Sequence, residues 1–369
     1  MSEIKIETLS KIHIGNGAFL QNGNDFIVDD GAISVLSVDK LGKIIGSKPE
    51  TIRQWVEAIN HGKVESFVKS HMKGLSRSAY AKRQIECLAE FDGRQNTLKE
   101  CMHDGMGRPY IPGSSIKGAI RTAVMATLAR KRIADRLKQE KNTRKWKNII
   151  MEMEREVLHF DAFTKSGKKD AGPNTDMFRF LKTGDAFFDK GVEVAVNQIN
   201  LNMSERKSLL DTRRRQAVEA IREGTSSQFR MNIDDDFFQK SGVNGLQGLF
   251  TLINNHIYNL LCDEMDFWCK GDGGRYTGQD DYLDQLEVIL DLIDECQSNE
   301  CVLRLGQANG WRFVTGAWLD EADKGFFNSE IVPMCRPKNN LHYRGYPFPK
   351  SRRIAGNSSV FGFIKMTVL

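Results

Sequence analysis

The amino-acid sequence predicts an α+β fold of two ferredoxin-like domains with inserted helices. The chain has 369 residues, of which 40% are apolar, and this suits two ordinary domains with buried cores. Short stretches of alternating apolar and polar residues recur in both halves, and helical repeats of apolar residues stand between them. A sheet with helices on one face is the simplest arrangement of such elements.

A polar, glycine-containing segment separates the two halves. It covers residues 159–174 and includes the runs Lys165-Ser166-Gly167-Lys168-Lys169-Asp170 and Gly172-Pro173-Asn174. Such composition is typical of a linker or a surface loop. We therefore expect an N-terminal domain over residues 1–172 and a C-terminal domain over residues 173–369.

The N-terminal half is predicted to contain five strands. Residues 4–14 alternate loosely and run into a glycine turn at Gly15-Asn16-Gly17, which indicates a first strand with a bulge. Asp29-Asp30-Gly31 predicts a tight hairpin between strands at 25–28 and 32–38, because Asp-Gly tolerates the positive φ that such turns need. A polar turn at 92–94 is expected to join a second strand pair, 85–91 and 97–103.

Two helices complete this half. Ser47 and Glu50 form a capping box around Pro49, which predicts a helix of about three turns from this point. A long amphipathic helix is predicted from Ser114 into a basic run at 130–147, with its apolar stripe at Ile116, Ile120, Val124, Leu128 and Ile133.

The C-terminal half repeats the mixture of strands and helices. Apolar alternation predicts strands at 177–181, 192–201, 228–233, 301–305 and 361–368. Helical spacing predicts helices at 246–270 and 282–296.

Composition limits the class of protein. The formal charge of +5 permits a polyanionic partner, and the basic runs at 130–147 and Arg213-Arg214-Arg215 are either phosphate contacts or solvated surfaces. Seven cysteines are scattered without a zinc-binding spacing, which predicts a reduced, cytoplasmic protein with no metal and no cofactor. The sequence opens without a secretory leader, and no apolar run approaches the ~20 residues that cross a bilayer, so no membrane contact is expected.

The segment Pro109-Tyr110-Ile111-Pro112-Gly113-Ser114-Ser115 opens directly into the long helix. Unpaired N–H groups at such a helix start bind anions, and Lys117 and Arg121 add charge on one face. Lys117 is followed by Gly118 and Ala119 instead of Ser or Thr, so the segment is not a nucleotide-binding P-loop. The alternative is that Ser114 or Ser115 simply caps a core helix.

Four segments resemble landmarks of the RAMP superfamily. They are LSKIHIGNG near the N-terminus, IPGSSIKGAIR at the start of the long helix, RLGQANGW in the C-terminal half and VFGFIKM at the end. The resemblance implies two ferredoxin-like (RRM-like) RAMP domains with inserted helices, and its landmarks span nearly the whole chain.

Within that superfamily, the order of the landmarks and the stretch FRFLKTGDAF look most like the fifth subunit of the type III-A CRISPR (Csm) effector complex. This resemblance implies a non-catalytic subunit that contacts the 3′ region of the CRISPR guide RNA, caps the backbone filament and supports guide maturation and antiviral defence. Its implied partners are the repeating RAMP backbone subunit and the small helical subunit. Target RNA and host nucleases stay open as further partners.

The resemblance also assigns RNA-binding residues. They come from the first turn, the start of the long helix and the second glycine-rich loop: His13, Gly15, Asn16, Gly17, Gly113, Ser114, Ser115, Lys117, Arg121, Arg304, Gly306, Gln307, Asn309, Gly310 and Arg312. A third basic patch, Lys350, Arg352 and Arg353 after two prolines, is predicted from its charge to contact RNA. The alternatives are a strained hairpin at 304–312 with two solvated arginines, and a solvated loop at 350–353.

An enzyme is the competing hypothesis. His13 could act as the general acid or base of a metal-independent endoribonuclease that processes CRISPR RNA, as in related processing nucleases. A histidine inside a strand is more often a packed residue, and Asp29 and Asp30 are explained by their turn. We therefore predict no catalytic residue and backbone-tracking contacts that weaken with salt.

Overall fold

The computed structural model describes residues 1–93, 96–129, 139–140, 146–161, 167, 172–202, 215–269, 277–307, 310–313, 317, 323–335, 351–356 and 359–369. These residues form two large sheets, one strand pair and several helices. Among the helices of these ranges, none is both long and apolar enough to cross a membrane. The mixed α+β class predicted from the sequence is confirmed.

The larger sheet has eight strands. Seven follow the order β2-β6-β11-β10-β5-β4-β3, and β14 pairs with β10 beside them. The strands are β2 (Gly15–Gln21), β3 (Phe26–Asp29), β4 (Ala32–Leu36), β5 (Ala81–Cys87), β6 (Thr97–Cys101), β10 (Glu193–Asn202), β11 (Arg215–Ile221) and β14 (Ser351–Ala355).

The second sheet has five strands in the order β13-β15-β1-β12-β8, all antiparallel. They are β1 (Ser2–Thr8), β8 (Leu181–Thr183), β12 (Ser226–Ile233), β13 (Glu300–Arg304) and β15 (Phe363–Val368). A short pair, β7 (Tyr110–Ile111) with β9 (Ala186–Phe187), lies apart from both sheets.

Helices pack on the five-stranded sheet and against the hairpin. The main core unites this sheet with α4 (Gly113–Ala129), α5 (Trp146–Leu158), α6 (Asp235–Ser241), α7 (Gly245–Cys269) and α8 (Gln279–Asp294). A smaller core covers the β3–β4 hairpin with α1 (Val38–Ile45), α2 (Pro49–Asn60) and α3 (Val64–His71). Short helical segments follow at Arg77–Ala79, Met177–Phe180, Trp311–Phe313, Lys324–Phe326, Phe327–Ile331 and Val332–Cys335.

Both large sheets take strands from either side of residue 172. Strand β1 lies between β12 and β15, and β10 lies beside β5. The chain therefore crosses between the sheets instead of finishing one before starting the other. The division at residue 172 and the two separate ferredoxin-like domains stay predictions.

Several local predictions are confirmed. Strands β3 and β4 form the hairpin, with Asp30 at φ 47° and Gly31 at φ 70°. The long helix begins one residue earlier than predicted, at Gly113, and is described as far as Ala129. The strands β10, β12, β13 and β15 and the helices α7 and α8 also lie close to their predicted positions.

Four local predictions are wrong. The Gly15-Asn16-Gly17 turn is the start of β2. The strands at 85–91 and 97–103 exist but are not paired, because β10 and β11 lie between them. The N-cap of α2 is Lys48, without a side-chain cap from Ser47. The predicted strand at 177–181 is a 3-10 turn, which the Asp176 carboxylate caps by accepting a hydrogen bond from the Phe178 N–H.

Candidate nucleic-acid interface

A cleft of about 570 Å³ brings three of the predicted RNA-binding segments together. The segment between β1 and β2 supplies His13, the start of β2 supplies Gly15 and Gly17, the start of α4 supplies Ser115, and the loop after β13 supplies Gly306 and Gln307. These segments are about 100 and 190 residues apart in sequence, and a hydrogen bond from the Gln307 N–H to the His13 carbonyl oxygen joins the first to the third. The convergence of the three segments is the main structural result for the site.

Gly306 allows the loop after β13 to approach His13, in the segment between β1 and β2. It has φ +95°, and a Cβ atom at this position would lie 2.8 Å from the His13 carbonyl oxygen. The next N–H, from Gln307, donates to that oxygen at 3.0 Å. Only glycine fits this contact without strain.

His13 is buried at the base of the cleft, with 2% of its surface exposed. Its Nδ1 donates a hydrogen bond of 2.6 Å to the Glu219 carbonyl oxygen, which leaves Nε2 as an acceptor. Nε2 makes no hydrogen bond of good geometry with the described residues, although the Gln307 side chain approaches it. Burial lowers the pKa of His13, so the ring is neutral at pH 7.

A buried charge network lies beside the cleft. Arg83 donates to Glu219 at 2.9 Å and to Glu100 at 2.8 Å, while Asn16 donates to Glu100 at 2.8 Å. Burial alone would raise the pKa of Glu100, but these hydrogen bonds and nearby cations lower it to about 2. The exposed Asn16 side chain therefore links the start of β2 to Glu100 on β6, and its predicted RNA contact stays a prediction.

Part of this network has the composition of a metal site. Ligand atoms of Glu100, His103 and Glu219 lie within 4.8 Å of one another. Arg83, however, already supplies the positive charge between two of the carboxylates, and His103 binds Glu193 at 3.0 Å. We therefore assign this cluster to the stability of the sheet.

Two cations stand at the cleft without an acidic partner. Lys99, on β6, lines the cleft, and the guanidinium of Arg353, on β14, donates to the Gln307 carbonyl oxygen at 3.3 Å. Neither forms an ion pair with a carboxylate among the described residues. Burial and the charge of Arg353 lower the pKa of Lys99, which is the response expected of two cations near each other without a counter-ion.

More of the backbone N–H groups at the start of α4 have hydrogen-bond acceptors than the sequence suggested. The Asp185 carboxylate accepts a hydrogen bond of 2.7 Å from the Gly113 N–H, and the Pro112 carbonyl oxygen accepts from Ser115 and Ile116. Gly113 is itself buried, and a Cβ atom there would lie 2.4 Å from the Thr183 carbonyl oxygen. The prediction that these N–H groups point outward as an anion site is wrong, whereas Ser114 is exposed and Ser115 lines the cleft.

Lys117 and Arg121 differ in their surroundings. Arg121 donates to the Asp176 carboxylate at 2.6 Å and lies over the Phe178 ring. Lys117 is half-buried without a described ion pair, and burial lowers its pKa. Of the two, Lys117 has the charge available for phosphate.

Arg304 belongs to the core. Its side chain is buried, donates to the Phe361 carbonyl oxygen at 3.0 Å and lies 4.3 Å from the Phe313 ring centroid. The structure therefore places Arg304 inside the core and not at the surface of the loop, and its predicted RNA contact is not supported by this position.

Arg312 and Arg352 are also structural. Arg352 is buried, donates to Glu264 at 2.7 Å and lies 3.7 Å from the Phe267 ring centroid. Arg312 is mostly buried, with Asp263 at 3.7 Å. Both were predicted to bind RNA, and the structure places both beside carboxylates of α7, Asp263 and Glu264.

Two predicted RNA contacts, Asn309 and Lys350, lie outside the described residues, as do the basic residues of 130–138 and 141–145 with Arg213 and Arg214. Gly310 is described, at φ +72°, and does not line the cleft.

Sequence analysis missed Phe19 and Lys99 at the cleft and the whole of β11. Phe19 and Lys99 face each other across the β2–β6 pair. Continuing Gly15–Gln21 as a strand would have placed Phe19 at this edge. No local signal in the sequence predicts that β2 pairs with β6, because β6 follows β2 by about 80 residues.

The comparisons with known proteins agree with this arrangement. Residues 5–313 match the model of the RAMP superfamily. A relative from Methanocaldococcus jannaschii, described as CRISPR system Cms protein Csm5, is 24% identical over 396 aligned residues, which cover 100% of this chain and 89% of the relative. The Csm5 protein of Streptococcus thermophilus is 26% identical over 50% of this chain and 51% of its own.

Two solved structures have the same fold over the full length. A chain in the cryo-EM structure of a Csm–crRNA–target RNA ternary complex of a type III-A CRISPR-Cas system has a TM-score of 0.69 at 19% identity, with 100% of both chains covered. The crystal structure of T. onnurineus Csm5 has a TM-score of 0.62 at 19% identity, covering 99% of this chain and 100% of the other. With the family match over most of the sequence and the fold shared throughout, this chain belongs to the RAMP superfamily.

Proposed function

We propose that this chain is the Csm5-type subunit of a type III-A CRISPR-Csm effector complex, where it binds the 3′ region of the guide RNA without cutting it. One observation carries the proposal: a chain similar over its full length to a Csm5 protein has a cleft in which three RAMP landmark segments converge beside cations that pair with no described carboxylate. In this role the subunit caps the backbone filament and supports guide maturation.

The cleft supports contact with the RNA backbone. Lys99 and Arg353 form no ion pair with a described carboxylate, and Gly17 leaves open space along β2 in the wall of the cleft. Contacts of this kind read phosphates and sugars and carry no sequence information. They suit a subunit that accepts guides of any sequence.

The repeating RAMP backbone subunit and the small helical subunit are the proposed protein partners, with guide RNA and target RNA as the nucleic acids. A solved complex of this type contains a chain of the same fold together with crRNA and target RNA. Host nucleases that mature the guide are a further proposed partner.

Cross-linking tests this function. The complex is reconstituted with guide RNAs that carry a single 4-thiouridine at successive positions, and cross-links to this chain are mapped. We expect them in the 3′ part of the guide, and we expect the double variant Lys99→Gln/Arg353→Gln to reduce their yield. Cross-links confined to the 5′ end, or a complex that assembles fully without this chain, would contradict the proposal.

A metal-independent endoribonuclease is the second candidate, because His13 is a neutral imidazole in the wall of the cleft. It predicts that the purified chain cuts guide RNA in EDTA and that His13→Ala abolishes cutting. Intact RNA with the wild-type chain, at protein concentrations that saturate binding, would exclude it.

A further inference from the structure

Phe19 is an exposed aromatic residue that lines the cleft together with Lys99 and Glu100. It lies on β2 with 55% of its surface exposed, whereas the next phenylalanine in the chain, Phe26, is fully buried. An apolar ring that stays in water gains free energy when a ligand covers it. Because Phe19 lines the cleft, a ligand bound in the cleft would cover its ring.

A cation, the Lys99 ammonium, lies close to the Phe19 ring. Lys99 is its direct cross-strand partner, and the Lys99 ammonium lies 5.5 Å from the ring centroid. Arg353 is close enough to lower the pKa of Lys99 by charge repulsion. An anion in the cleft would relieve this repulsion, and a flat apolar group attached to that anion could cover Phe19.

The strand beside Phe19 is open. Gly17 has φ +89°, and a Cβ atom built on it would have no neighbour within 4 Å. Gly15, the other glycine of β2, packs instead on the His13 ring, where a Cβ atom would lie 3.1 Å from Nε2. The space over Gly17 therefore gives a planar group access to the Phe19 ring from the side of the cleft.

We propose that Phe19 is a stacking platform for one unpaired base of the bound RNA, with Lys99 and Arg353 holding the adjoining phosphates. The inference rests on the proposed function and deepens it, since it adds a base contact to a site predicted to touch only the backbone. Single-stranded nucleic acids are commonly held by this combination of a basic groove and an aromatic ring. The stack is sequence-tolerant, because every base has a π-face.

An abasic scan tests the platform. Fluorescence anisotropy measures the affinity of the full-length chain for a short labelled single-stranded RNA and for a series in which one nucleotide at a time is replaced by abasic ribose. The wild type should lose affinity about tenfold at one position in the scan. Phe19→Ala should bind the intact RNA about tenfold more weakly and show no further loss at that position. Phe19→Trp should retain the wild-type pattern.

Phe187→Ala is the matched control. Phe187 is also a partly exposed strand phenylalanine, with the Arg108 guanidinium 4.9 Å from its ring centroid, but it does not line the cleft. It should leave the scan unchanged. Urea midpoints of all variants are recorded, and Phe19→Ala should unfold close to the wild type because its ring is more than half exposed.

The outcomes separate the two proposals. If the wild type binds RNA and the scan is flat, or if Phe19→Ala binds as the wild type does, the platform is wrong and the RNA-binding function stands. If Phe19→Ala leaves RNA affinity intact but lowers incorporation into the reconstituted complex, Phe19 contacts a protein subunit and the platform is wrong. If the wild type binds no RNA at all, the proposed function itself fails.

Discussion

The Gln307 N–H donates a hydrogen bond of 3.0 Å to the carbonyl oxygen of His13, which joins two landmark segments almost 300 residues apart. This contact closes the cleft on one side. It depends on Gly306, because any side chain there would collide with the same carbonyl oxygen.

Gly306→Ala should therefore destabilise the protein by about 2–4 kcal/mol, through strain at positive φ and the collision with His13. Urea unfolding followed by circular dichroism measures the change. Gly310→Ala is the matched control, since Gly310 also has positive φ but open space around its Cβ position, and it should cost about 1 kcal/mol. Equal losses in the two variants would show that the contact with His13 does not constrain the loop.

Local and long-range features differ in how far the sequence predicts them. The hairpin around Asp30 and Gly31 is local, and the residues of its turn were sufficient to predict it. The pairing of β5 and β6 was predicted wrongly, because their actual neighbours, β10 and β11, come from about 100 residues later in the chain. Adjacent predicted strands form a hairpin only when no distant strand separates them.

The same reasoning applies to the arginines of the site. Arg352 and Arg353 are consecutive, and nothing in the local sequence distinguishes them. Their roles depend on Glu264 and Gln307, which are distant in sequence, and strand alternation sends one side chain to each. The sequence alone could not separate the buried Arg352 from the exposed Arg353.

Substitution of Arg352 should lower the stability of the protein far more than substitution of Arg353. Arg352→Met leaves Glu264 buried without its partner and should cost about 3 kcal/mol of stability. Arg353→Met should change stability by less than about 0.5 kcal/mol, because its side chain is exposed.

RNA binding supplies the second half of this comparison. With Arg353→Met, the slope of log affinity against log salt should fall by about 0.7, the value for one lost phosphate contact on a single strand. Anisotropy titrations at several salt concentrations measure the slope. An unchanged slope would remove Arg353 from the interface.

Lys117 and Arg121 give another matched pair. Lys117→Met should weaken RNA binding and lower the salt slope, because Lys117 forms no ion pair with a described carboxylate, whereas Asp176 pairs with Arg121. Arg121→Met should leave the slope nearly unchanged and cost about 1 kcal/mol of stability through loss of the Asp176 ion pair. The reverse order of effects on the slope would assign the phosphate contact to Arg121.

Glu100 makes the stability sensitive to acid. Its pKa is about 2 in the folded state and near 4.5 in the unfolded state, so its stabilising contribution is complete above pH 4.5 and is lost as the pH falls toward 2. Glu100→Gln should be less stable than the wild type by roughly 2 kcal/mol at pH 7, allowing for partial solvent screening. Urea unfolding at intervals from pH 7 to 3 should show this difference shrinking below pH 4.5, and a constant difference would contradict the role of the ionised carboxylate.

The most direct test of the central claim is a salt series in which the purified full-length chain meets labelled CRISPR guide RNA, with binding and cleavage recorded together. Lys99→Gln/Arg353→Gln is measured alongside, and Arg121→Met serves as the control with a paired cation. We predict binding that weakens steeply with salt, a smaller salt slope in the double variant and intact RNA throughout. Salt-insensitive binding that the double variant does not alter, or cutting that follows the protein through purification and disappears in His13→Ala, would contradict the account.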